Sequence, residues 1–96
     1  MSKKKKRLLR MRRNKKNVRF DDLISVLEDH GFAVRQGKGS HVMAERLTDE
    51  GTISIALVKP HQSKFVKVAY VKLALKEIDN VLAEQASEEE DNGTED

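Results

Sequence analysis

Apolar positions change period twice along the first two thirds of the chain. Phe20, Leu23, Ile24 and Leu27 recur at i, i+3, i+4 and i+7, which puts them on one stripe of a helix. Asp21 and Asp22 stand at its start, where carboxylates favour free N–H groups, and Gly31 follows its end. From Phe32 to Gln36 apolar and polar residues alternate, as in a strand with Phe32 and Val34 on one face. Gly37-Lys38-Gly39 makes a tight connection, and Ser40 to Leu47 returns as a second strand. Thr48-Asp49-Glu50-Gly51 turns the chain again. Ile53, Ile55 and Leu57 then alternate with Ser54 and Ala56 in a third strand, which Pro60 ends.

From about Lys64 the helical period resumes. Val68, Val71, Leu75, Ile78 and Leu82 form one stripe, with Ala74 beside it and Val66, Tyr70 and Leu73 widening it. The predicted order is helix, three antiparallel strands, helix: an α+β domain in which both helices must cover the same sheet face to bury their stripes. This arrangement resembles the double-stranded-RNA-binding fold, although a fold does not assign a function.

Charge divides the chain into three parts. Residues 1–17 hold ten Lys or Arg and no acid, residues 83–96 hold seven acids and no base, and residues 18–82 hold nine of each. The basic block and the acidic block each have few apolar residues to offset the entropy of ordering, so both are predicted to be disordered around an 18–82 domain. Two readings of the basic arm stay open. It can neutralise nucleic-acid phosphates, without aromatic residues to read bases. Alternatively it is solubilising, or meets the acidic tail across the neutral domain.

The domain is small for an independently stable core, which leaves room for support from a partner chain. There is no cysteine, so neither disulfides nor thiolate zinc sites reinforce it. His30, His41 and His61 lack metal-ligand spacing, and no metal or cofactor is expected. No apolar run is long enough to span a bilayer, and the basic start is not followed by the apolar segment of a secretory signal. The expected location is cytoplasmic, with no membrane association.

Candidate chemistry centres on Gly39-Ser40-His41, where a glycine-rich turn enters a strand. An imidazole has an unperturbed pKa of about 6.5 and exchanges protons near neutrality, so His41 is a candidate acid–base residue; a solvated strand histidine is the plain alternative. His30 precedes the helix-ending glycine and suits a capping role. His61, in the loop after Pro60, is open between a structural role and an RNA contact.

Three segments carry a family resemblance: Asn17-Val18-Arg19-Phe20-Asp21-Asp22-Leu23, Leu27-Glu28-Asp29-His30-Gly31-Phe32, and Arg35-Gln36-Gly37-Lys38-Gly39-Ser40-His41. With Val58-Lys59-Pro60-His61 and the helix from Val66, they resemble the HicA-type mRNA interferase toxins over roughly residues 17–80. The chain departs from that pattern in having Val42-Met43-Ala44 after the motif histidine and in the adjacency of Pro60 and His61. The resemblance implies a toxin of a toxin–antitoxin pair, a metal-independent endoribonuclease cleaving mRNA, with a HicB-like antitoxin as partner. It makes His41 the catalytic acid–base residue and places Lys38, Gly39, Ser40 and Lys59 against RNA phosphate, with Ser40 orienting His41. Two other classes stay open: a non-catalytic RNA-binding module of the same fold, and an interaction protein whose small core a partner completes.

Overall fold

The computed structural model describes residues 2–93, with side chains through residue 87. The chain runs α1 (Lys3–Arg13), a 3-10 turn (Lys15–Asn17), α2 (Phe20–Asp29), β1 (Ala33–Gln36), β2 (His41–Thr48), β3 (Gly51–Val58) and α3 (Val68–Gly93). The strands form one antiparallel sheet in the order β1-β2-β3. The predicted helix, three-stranded sheet, helix arrangement is therefore present, with one helix added in front of it.

That added helix corrects the expectation for residues 1–17. Lys and Arg are good helix formers, and the Ser2 hydroxyl caps the start by accepting from the Lys5 N–H at 3.2 Å. Leu8 and Met11 lie three residues apart on one face; Met11 is buried in the core and Leu8 packs against it. Arg7 pairs with Asp29 at 2.8 Å and Arg12 with Asp79 at 2.6 Å, which ties α1 to both other helices. Two apolar anchors and two ion pairs thus dock an otherwise exposed cationic segment. The acidic tail expected over 83–96 is likewise helical as far as Gly93, as the continuation of α3. Its side chains from 88 onward lie outside the described residues.

The ends of α2 follow from its sequence. Asp21 and Asp22 occupy the first turn. At the other end Gly31 takes φ +89°, the Phe32 N–H donates to Leu27 O at 3.1 Å and the Gly31 N–H to Glu28 O at 3.2 Å. This paired closure needs a left-handed residue at Gly31, and it turns Phe32 back into the core. His30 Nδ1–H donates to Val26 O at 2.7 Å, the capping role expected of it.

The sheet's pleat sorts its side chains. Ala44, Ile55 and Leu57 are buried beneath α2 and α3, with Val34, Val42 and Ile53 packed at their margin. Pairings such as Val34↔Ala44 and Ala44↔Ile55 put these residues on one face. α3 contributes Val71, Ala74, Leu75, Ile78 and Val81. Leu82, expected in the stripe, is 37% exposed, and Val81 takes its place. Arg46 holds Glu84 through both Nη atoms, at 3.1 and 3.3 Å, and Val81, three residues earlier, shares that inward side of the helix. Among the described residues no helix is long and apolar enough to cross a membrane.

Candidate active site

The β1–β2 connection is held by two backbone bonds. The Gly37 N–H donates to His41 O at 2.8 Å and the His41 N–H to Lys38 O at 3.1 Å. Gly39 takes φ +60°, and a Cβ there would meet open space, so the glycine serves backbone conformation rather than clearance. β2 then begins at His41, opposite Val58 at the end of β3. By the alternation of the pleat His41 lies on the sheet face away from the helices, together with Met43 and Glu45, and it is exposed.

One further backbone bond carries the pairing past the strand ends: the Lys59 N–H donates to Ser40 O at 2.8 Å. The chain then turns at Pro60, and His61 arrives beside the half-buried Ser40. Ser40 Oγ and His61 Nε2 are hydrogen-bonded, the hydroxyl donating when Nε2 is unprotonated and accepting when Nε2 carries the proton. This corrects the expectation that Ser40 orients His41. Its side chain engages His61, and it touches His41 only through the backbone. Lys38, Gly39, Ser40, His41 and Lys59 thus lie at one end of the sheet, and His61 joins them. His30, at the opposite end of β1's preceding helix, does not.

His61 is the residue whose place was least legible. Its position depends on the β2–β3 register being exact to one residue and on a bond beyond the strand end, and no local spacing announces either. The useful signal is that Val58-Lys59-Pro60-His61 ends a strand whose partner begins with the Gly-Ser-His motif.

Fold and site together define a small α+β domain that presents an exposed histidine at a strand start, with two lysines and a second histidine at the same sheet end. The family model for the HicA toxin of bacterial toxin–antitoxin systems matches residues 20–79, more than half of the 96-residue chain. The chain belongs to the HicA toxin family, which makes it the toxin member of a toxin–antitoxin pair and implies an antitoxin partner. α1 and the 3-10 turn lie outside the matched residues. Comparison with curated proteins and with solved structures found no match.

Proposed function

We propose that this toxin is an endoribonuclease that cleaves mRNA in the cytoplasm, with His41 transferring protons. RNA carries its own nucleophile. The 2′-hydroxyl attacks the adjacent phosphorus as its proton passes to a base, and the 5′-oxygen departs with a proton from an acid. The products are a 2′,3′-cyclic phosphate and a free 5′-hydroxyl. His41 serves as an acid–base group in this exchange, a contribution of about 10²–10⁴-fold in rate. Lys38 and Lys59 offset charge developing on the phosphate, and the N–H groups around Gly39 and Ser40 stand close by for the same purpose. The Ser40–His61 bond braces the turn that presents His41. The observation that carries the reading is the exposed His41 at the strand start of a HicA-family domain, with Lys38, Lys59 and His61 at the same sheet end.

The test incubates the full chain with single-stranded RNA in EDTA. Cleavage leaving cyclic-phosphate and 5′-hydroxyl ends is expected, and His41→Ala should abolish it while the circular dichroism spectrum is retained. Undiminished cleavage by folded His41→Ala protein would remove His41 from the mechanism. RNA that is bound and left intact by the wild-type chain favours the non-catalytic RNA-binding reading. The antitoxin that silences such a site is a HicB-like protein covering His41 and Lys38 and offering carboxylates in place of RNA phosphates. Growth arrest by the chain alone, rescued by co-expression of the neighbouring open reading frame, is the expected cellular result.

A further inference from the structure

Between the end of β3 and the first turn of α3 the chain encloses a groove of about 730 Å³. Its lining includes Lys16, Lys59, His61, Phe65, Lys67 and Tyr70, with no carboxylate among the lining residues. Backbone pairing builds it. The Val66 N–H donates to Val18 O at 2.8 Å, and Arg19 and Phe65 form an antiparallel bridge. This stitch holds the 3-10 turn against the entrance to α3, so Lys16 reaches the groove from a segment outside the family-matched residues. At the other end the groove includes Lys59 and His61, the latter the hydrogen-bond partner of Ser40, and so it adjoins the turn that carries His41.

We propose that this groove binds single-stranded RNA flanking the cleaved phosphate; the proposal rests on the ribonuclease reading of the adjacent site. Three ammonium groups suit phosphates, and lysine acts as a point charge that positions a backbone without reading sequence. Phe65 and Tyr70 are half-buried aromatics in the same groove. A ring in a cationic channel supplies the stacking surface that every base can use, which is how single strands are held without base-specific hydrogen bonds. Charge and continuity with the site select this occupant.

The test titrates the full chain with a fluorescent, fully 2′-O-methylated oligonucleotide, which lacks the attacking hydroxyl and survives an active ribonuclease. Lys16→Ala/Lys67→Ala, at two exposed positions, should flatten the log–log salt dependence of affinity by about 1.4, since each single-strand phosphate that is no longer neutralised removes about 0.7 from the slope. Tyr70→Ala should weaken binding about 5- to 150-fold, and Tyr70→Phe, which keeps the ring, should restore it. Lys76→Ala, an exposed α3 lysine away from the groove, should leave the slope unchanged. Equal slopes for wild type and the Lys16/Lys67 variant, or full affinity in folded Tyr70→Ala, would overturn the proposal. So would a dimer in solution that the Lys16/Lys67 variant abolishes, since the groove would then belong to self-association. Cleavage of ordinary RNA is scored separately. Groove-dependent binding without cleavage sinks only the ribonuclease reading, and cleavage with groove-independent binding sinks only the groove.

Discussion

Met11→Ala should release α1 while the rest of the domain stays folded. Met11 is 3% exposed and is the buried anchor of α1, with Leu8 packed beside it. Truncating a buried Met to Ala costs about 2–5 kcal/mol. Against that stand the pairs Arg7–Asp29 and Arg12–Asp79, each partly exposed and worth about 0–1 kcal/mol. An isolated helix of 11 residues is marginal in water, so α1 depends on docking for its order. A loss of about 2 kcal/mol or more exceeds what two surface ion pairs supply, and terminal elements open at free energies well below the global one. α1 holds 11 of the 47 residues in the three α-helices, whose lengths are 11, 10 and 26. Ellipticity at 222 nm should therefore fall by roughly a quarter, and amide protection should vanish over residues 3–13 while Val71 to Ile78 keep theirs. Persistent protection of α1 in Met11→Ala would refute the anchoring argument. Cooperative unfolding of the whole chain would refute it from the other side, by making α1 inseparable from the core.

The Arg46–Glu84 pair offers a second measurement. Arg46 lies over the Phe32 ring, 5.8 Å from its centroid, and its Nε is buried without a partner among the described residues. Glu84→Gln removes the anion from this guanidinium. Because Glu84 is itself half exposed, the loss should be about 1–2 kcal/mol rather than that of a fully buried pair, seen as a Tm lower by about 4–16 °C and a smaller difference in high salt. An unchanged Tm would mean that water replaces Glu84 at no cost. At the site, Gly39→Ala should cost about 1–2 kcal/mol for a left-handed conformation and reduce RNA cleavage by moving Ser40 and His41, whereas Gly37→Ala, whose new Cβ would sit 3.4 Å from His41 O, should be tolerated. Equal activity of both variants would separate the turn from catalysis.

Much of this molecule is legible in its sequence because two periods and a few glycines carry it. The Phe20–Leu27 stripe, the Phe32/Val34 alternation and the Ile53-Ile55-Leu57 run each match one element, and Gly31 and Gly39 mark two places where the backbone turns left-handed. What escapes the sequence depends on distant contacts. Leu8 and Met11 look incidental within a block of cations until α2 and α3 offer them a surface. Val81 is buried where Leu82 was expected, three residues before Glu84, whose partner Arg46 lies 38 residues away in the sequence. Lys16 and Tyr70 read as a tail cation and a stripe margin, and become neighbours only through the Val18–Val66 bond. At the site, the turn and His41 are local and visible, while the Ser40–His61 bond requires the register. A basic arm meeting an acidic tail is not the pattern among the described side chains: Arg7 and Arg12 pair with Asp29 and Asp79, and Glu84 with Arg46.

The two helices α1 and α2 differ in their electrostatics, and the difference makes a prediction about salt. α2 opens with Asp21 and Asp22, which the helix dipole favours, whereas α1 opens with Lys3, Lys4 and Lys5 and has no acid in its first turn. Each misplaced cation there costs about 0.3–1 kcal/mol at low ionic strength, and neighbouring lysines add like-charge repulsion. Two ion pairs, at about 0–1 kcal/mol each, act in the opposite sense, as do Arg10, Arg12 and Arg13 in the last turn, which the dipole favours; like-charge repulsion among the eight cations of this 11-residue helix outweighs them. All are near the surface, and shortening the Debye length from about 10 Å at 0.1 M to about 3 Å at 1 M screens them together. The balance left is the burial of Met11 and Leu8, which salt does not weaken. Amide protection of α1 should therefore rise with salt over that range, while affinity for RNA falls because bound counterions compete for the phosphates. Hydrogen exchange and oligonucleotide titration on the same protein measure the two trends. Protection of α1 that falls in parallel with RNA affinity would show that its ion pairs, not its apolar anchors, hold the helix in place.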